Sequence, residues 1–125
     1  MGLTITIITL VVSTIFLVFR FSNRNVKLGG SSAAQQAYTK IQQGATIIDV
    51  RSSMEYAVSS FPGSINIPVA DISDKLNSIP KDKPIVVYCA SGGRSASARD
   101  ILIRNGFSDV TNAGGLNDLE AASQK

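Results

Sequence analysis

The chain has 125 residues at 13.2 kDa, about one domain's worth, so a second full-sized catalytic domain is excluded and any chemistry must rest on one site. Hydrophobic residues at 44%, charged residues at 17% and a mean hydropathy of +0.17 are unusual for a soluble domain and place part of the chain against lipid. Histidine is absent and there is one cysteine, which excludes an intrachain disulfide, Cys/His zinc sites and every mechanism with a histidine base.

No charged side chain precedes Arg20, and residues 3 to 19 (LTITIITLVVSTIFLVF) form an apolar run broken only by Thr and Ser. At the helical rise this run covers roughly 26 Å, close to the hydrocarbon thickness of a bilayer, so residues 1–21 are predicted to be a transmembrane anchor. A cleaved export signal is the alternative, but the positive segment before the run and an A-x-A-like site after it are both missing. Arg20, Arg24 and Lys27 all follow the run, and the remaining nine basic residues match the nine acids, so the net +3 belongs to this flank alone. The positive-inside rule then puts the domain on the cytoplasmic side of an inner or plasma membrane. Cations that merely meet anionic headgroups would imply no orientation, and a cleaved signal would put the domain in the periplasm. The sequence pI of 9.2 comes without a basic stripe interleaved with aromatics, so no nucleic-acid partner is expected.

Residues 22–31 read as a basic, Gly/Ser-rich tether whose last serines can cap a helix, and 32–125 as the domain. Ala34, Ala37, Tyr38 and Ile41 recur at helical spacing, predicting a helix over 32–43 with Gly44 as its stop. Thr46 to Val50 and Pro84 to Tyr88 are continuous apolar runs, the pattern of buried parallel strands. Between them the pattern predicts a helix over 52–58, a turn at Pro62-Gly63, a short strand over 64–67 and a weak helix over 69–76. A helix over 95–105, a stop at Gly106, a last strand near Val110 and a short final helix complete an open α/β sheet.

The segment Val87-Tyr88-Cys89-Ala90-Ser91-Gly92-Gly93-Arg94-Ser95 is a strand end, a small-residue loop and a helix start, with the cysteine first in the loop. Open α/β sheets bind ligands at such strand ends. Small residues let the loop curl so that successive N–H groups point inward, and the following helix adds the positive end of its dipole. An anion or thiolate at the centre is stabilised, which lowers a cysteine pKa without any histidine.

In its ordered motifs the chain resembles the rhodanese family of sulfurtransferases over about residues 32–120. The carriers are Cys89 to Arg94, Asp49-Val50-Arg51, Glu55-Tyr56, Phe61-Pro62-Gly63-Ser64-Ile65-Asn66-Ile67-Pro68 and Asn112-Ala113-Gly114-Gly115-Leu116, and the layout is most similar to small phage-shock type bacterial members. Ser59-Ser60 stands where Gly-His is usual and Leu119 where a Trp often follows, departures that bear on packing rather than on the nucleophile. The resemblance implies a rhodanese-like open parallel sheet flanked by helices, here preceded by one transmembrane helix, and no cofactor. It also implies that Cys89 takes the outer sulfur of thiosulfate or a related donor as a persulfide and passes it to cyanide or a thiol. The amides of Ala90, Ser91, Gly92, Gly93, Arg94 and Ser95 would hold the sulfur anion, with Arg94 as a bidentate anion binder. Arg51 either binds the sulfonate end of the donor or pairs with Glu55, the pairing being favoured, and Asp49 either orients loop groups or caps the helix at 52–58.

Three other readings are kept. A Cys-dependent phosphatase also closes a thiolate cradle with Arg, but with five intervening residues where this loop has Ala90, Ser91, Gly92 and Gly93. A non-catalytic docking module would keep the framework and lose the cysteine. A persulfide carrier loaded and unloaded by protein partners in a sulfur relay shares the chemistry at Cys89, and a membrane anchor suits work beside such a partner.

Overall fold

The computed structural model describes residues 31–124, so the expected span at 1–21 and the tether up to residue 30 lie outside the described residues. Among the described residues no helix is long and apolar enough to cross a membrane. Helix α1 (Ser32–Gln42) opens where the Ser31 hydroxyl accepts the Ala34 N–H at 3.2 Å. Ala34 and Ala37, one turn apart and fully buried, let it lie close against the sheet. Strand β1 (Thr46–Asp49) leads to α2 (Ser53–Val58), which Ser52 and Glu55 start by satisfying each other's backbone N–H groups. The short strand β2 (Ile65–Asn66) is followed by two 3-10 stretches, Val69–Asp74 and Leu76–Ser78, where the sequence predicts a helix over 69–76. Pro68 caps the first and Pro80 follows the second, and the segment between them closes its turns with i→i+3 bonds, among them Lys75 N–H to the Ile72 carbonyl and Ser78 N–H to the Lys75 carbonyl.

Strands β3 (Ile85–Cys89) and β4 (Val110–Gly115), with helices α3 (Gly93–Arg104) and α4 (Leu116–Ser123), complete the domain. The sheet is parallel throughout, in the order β2-β1-β3-β4. It is covered on both sides, which explains the uninterrupted apolar runs of β1 and β3. Alternation then sorts the side chains. Ile48, Val50, Ile85, Val87 and Cys89 pack with Ile72, Ala98 and Leu102. Ile47, Val86 and Tyr88 face the other way and pack with Ala37, Phe61, Leu116 and Leu119. Leu119, a departure from the family pattern, is fully buried, and removing such a side chain from water is worth about 1.5–3 kcal/mol, so leucine fills this core position productively.

The strand order reverses between β1 and β3, because the chain leaves β1 toward β2 on one side and β3 lies on the other. Loops at the carboxyl ends of these two strands therefore diverge and leave a crevice. Cys89 ends β3, and Asp49 ends β1 with Val50 and Arg51 directly after it, so the fold brings both motifs to that crevice. Beside it, the two-residue step from Val87 to Cys89 in β3 is matched by a three-residue step from Asn112 to Gly115 in β4, a bulge beside the loop after Cys89.

Candidate active site

Cys89 is fully buried at the mouth of this crevice. The loop that follows turns back so that the Gly92 N–H donates to Cys89 Sγ at 2.9 Å. That geometry holds Gly92 at φ +106°, which glycine alone adopts without strain, and makes it the N-cap of α3. Helix α3 accordingly starts at Gly93, two residues earlier than the sequence predicts, because Gly92 supplies the turn and no side-chain cap is required. Its first turn brings the Ser95 hydroxyl to 3.3 Å from Sγ, and the Ser95 N–H is also directed at the sulfur.

Burial by itself pushes the Cys89 thiol up. Hydrogen bonds from the Ser95 hydroxyl and from the backbone of Ser95, Ser91 and Gly92 outweigh it and hold the pKa below its ordinary value. Of the predicted cradle, Ala90, Ser91 and Gly93 form an exposed rim, while Ser95 is buried beneath it.

The arginines and acids pair differently from the expectation. Arg51 does not pair with Glu55. Its guanidinium clamps Asp49 (Nη2 to Oδ2 2.7 Å, Nε to Oδ1 3.0 Å), donates to the Ser59 carbonyl at 2.6 Å and lies 5.8 Å from the Tyr88 ring centroid. Residues 49 and 51 lie two apart on an extended segment and point to one side, so the shorter reach wins. Buried and held there through Nε and Nη2, Arg51 is a strut of the β1 end. Asp49 accordingly does not cap α2, which Ser52 does, but accepts the Arg51 N–H and guanidinium. Glu55 instead binds Arg94 in a bidentate pair (2.7 and 3.1 Å) that joins α2 to α3 across the rim. The Arg94 hydrogen bond holds the Glu55 carboxyl at about 2, well below the usual carboxylate range, and raises the Arg94 pKa in turn. The Cys89 charge raises the Arg94 pKa a little further, although the guanidinium itself is tied to Glu55. Arg99, read from sequence as a solvated face with Asp100, donates from Nε to the Val110 carbonyl at 3.0 Å.

Two asparagines that the sequence reading assigns no role hold the site together. Asn66 donates to the carbonyls of Asp49 and Arg51 (3.0 and 2.9 Å) and fixes the β1 end. Asn112 accepts from the Ser95 hydroxyl at 2.7 Å and from the Gly114 N–H at 2.9 Å, and donates to the Gly92 carbonyl at 3.2 Å. Their signal in the sequence is their place inside the two motifs, Pro-Gly-x-x-Asn and Asn-x-Gly-Gly. Gly115 backs the loop so closely that a Cβ there would collide with the Ala90 carbonyl oxygen. The result is a buried sulfur in a ring of hydrogen-bond donors, with the half-exposed Arg94–Glu55 pair beside the loop. Among the described residues no group of side chains is arranged to hold a metal ion.

A family model described as "Rhodanese-like domain" matches residues 33–122. The thiosulfate sulfurtransferase GlpE of Pseudomonas fluorescens is 38% identical over 76 residues, 61% of this chain and 70% of its own. The thiosulfate sulfurtransferase PspE of Escherichia coli is 38% identical over 74 residues, 58% of this chain and 71% of its own. A solved structure described as rhodanese with anions from E. coli superposes with a TM-score of 0.57 at 35% identity, covering 60% of this chain and 91% of that one.

Proposed function

Because this chain belongs to the rhodanese family of sulfurtransferases, we propose that Cys89 is its sulfur acceptor and that thiosulfate or a close analogue is the donor. The observation that carries this reading is the donor ring around one sulfur: the Gly92 N–H, the Ser95 hydroxyl and the start of α3. In the first half-reaction the Cys89 thiolate attacks the outer sulfur of thiosulfate. A new S–S bond forms, the bond to the sulfonate sulfur breaks, and its electron pair leaves with sulfite. The persulfide carries the remaining negative charge on its terminal sulfur, where the loop N–H groups hold it. In the second half-reaction a thiolate or cyanide takes that terminal sulfur, and the electrons of the broken S–S bond return to Cys89 as thiolate.

Arg94 uses two of its five N–H groups on Glu55, which leaves donors for the sulfonate oxygens at the rim. Because Cys89 itself is buried, small donors and acceptors are favoured over bulky ones. The description of the similar E. coli rhodanese as holding anions supports an anion site in this fold. A phosphatase reading is disfavoured by the tight loop, whose Gly92 N–H is already on the sulfur. The test is sulfite release from thiosulfate with cyanide as acceptor. Cys89→Ser is expected to abolish it, and continued turnover by that variant would refute the assignment.

We also propose that residues 3–19 stay in the mature chain as a single span with the domain on the cytoplasmic side, on the strength of the one-sided cations Arg20, Arg24 and Lys27. An impermeant thiol reagent should then label Cys89 only after lysis. Labelling in intact cells would place the domain outside.

A further inference from the structure

The Ser95 hydroxyl has one proton and three acceptors within reach: Asn112 Oδ1 at 2.7 Å, the Gly92 carbonyl at 3.1 Å and Cys89 Sγ at 3.3 Å. The orientation of Asn112 is set by partners that have no choice. The Gly114 N–H can only donate, so the atom it meets is Oδ1, and the Gly92 carbonyl can only accept, so the atom it meets is Nδ2. Oδ1 can only accept, so the Ser95 proton points at it. The Gly92 carbonyl already receives the Ala96 N–H at 3.0 Å and the Asn112 amide, which leaves it a poor rival.

From this geometry we infer that Asn112 is a positioning residue that holds the Ser95 proton away from Cys89 while the sulfur is a thiol and yields it when the sulfur is an anion. The inference rests on the sulfur-acceptor reading for its use but not for its chemistry. In the thiol form the sulfur has its own proton and needs no second donor. On ionisation the Ser95 hydroxyl rotates to the sulfur, and Asn112 Oδ1 keeps the Gly114 N–H. Each ionisation therefore exchanges a hydrogen bond to Asn112 for one to sulfur, and the thiolate is less favoured than it would be with an apolar residue at 112. A more basic thiolate is a better nucleophile toward the donor and a poorer leaving group from the persulfide. At a pH above the Cys89 pKa, where the sulfur is fully ionised, Asn112 thus biases Cys89 toward loading.

The charged groups around this triad stay constant in the test. They are Arg94 of α3, Glu55 of α2 paired to it, the Asp49–Arg51 pair at the end of β1, and Asp118 of α4, which accepts the Gly115 N–H. Asp71 and Asp74 of the 3-10 stretch packed against α3 are exposed.

The experiment is the pH dependence of Cys89 alkylation by iodoacetamide in the full-length chain. Asn112→Leu, similar in volume but unable to hydrogen-bond, is expected to lower the midpoint by up to about half a pH unit, less than the worth of a full hydrogen bond because the Gly92 carbonyl, relieved of the Asn112 amide, takes up part of the Ser95 proton. In a Ser95→Ala background the same substitution should leave the midpoint unmoved, because the hydroxyl through which it acts is gone. A residue that only braces the loop gives the opposite sign, since a loosened ring of donors raises the midpoint. A midpoint that rises or stays in Asn112→Leu, or an equal fall without the Ser95 hydroxyl, overturns the inference. Should Asn112→Leu fail to fold, Asn112→Ala is read in the same way. Alkylation requires no sulfur donor, so its outcome is separate from whether thiosulfate loads Cys89.

Discussion

Gly115→Ala isolates the close approach between the end of β4 and the loop after Cys89. Gly115 has φ −88° and ψ 157°, a conformation open to any residue, so the penalty of a methyl group there is steric alone. The new Cβ would overlap the Ala90 carbonyl oxygen and lie 3.2 Å from the Ala90 carbonyl carbon and 3.3 Å from Asp118 Oδ2. Asp118 can swing aside. The Ala90 peptide cannot, because it follows Cys89 directly and Cys89 pairs with Gly115 in the sheet. Overpacking of this kind costs about 1–3 kcal/mol. At about 4–8 °C per kcal/mol for a domain of this size, the melting temperature of the full-length chain should fall by roughly 4–20 °C. Displacing Ala90 also drags the cysteine, so alkylation of Cys89 should slow relative to a free thiol in the same buffer. Gly93→Ala is the matched control, since a Cβ there meets nothing within 4 Å. It should leave stability unchanged or raise it by up to ~1 kcal/mol. Equal melting temperatures for Gly115→Ala and Gly93→Ala would refute the argument that Gly115 is what lets the end of β4 touch the loop after Cys89.

Arg94→Ala should reduce kcat/KM for thiosulfate by roughly ten- to a hundredfold, the worth of a charged hydrogen bond, with little change in melting temperature because its pair with Glu55 is half exposed. An unfolded variant would make Arg94 structural. Because the Cys89 pKa is depressed, its alkylation should stay fast below the ordinary thiol range. The sign for stability follows from the same shift: the native state favours the thiolate, so the contribution is present above the unfolded value of 9.0 and is lost as pH falls through the folded pKa. The stability of the wild type relative to Cys89→Ser should therefore grow as pH rises through that window, and a flat difference would remove the cradle. Tyr88→Phe leaves the buried Phe61 N–H without the phenol oxygen that accepts it at 2.9 Å, which should cost about 1–3 kcal/mol by denaturant unfolding. Tyr88 lies on the opposite face from Cys89, so the alkylation midpoint should hold.

Most of the architecture was legible because parallel strands buried on both faces leave an unmistakable trace. Ile47-Ile48 and Ile85 to Val87 are continuous in hydrophobicity only because both layers of helices need them. The cysteine loop was legible for a different reason: small residues between a strand and a helix have little other use. Pairing of charges was not legible. Arg51 could reach Asp49 or Glu55 by spacing, and the choice turned on which carboxylate the strand geometry aimed inward. Helix α3 began early because backbone N–H groups facing the sulfur replaced a side-chain cap, an arrangement with no residue to announce it. Asn112 was invisible for a related reason. Its partners are the Ser95 hydroxyl and the Gly92 carbonyl at the start of α3 and the Gly114 N–H of its own strand, and the first two meet it only through the pairing of β3 with β4.

The most direct test of the sulfur-acceptor reading is the intact mass of the full-length chain after brief treatment with thiosulfate and removal of excess. One sulfur should be added per chain, located on the peptide containing Cys89, and it should be lost on addition of cyanide with formation of thiocyanate. A chain that gains no mass, or that gains the same mass as Cys89→Ser, would contradict the account.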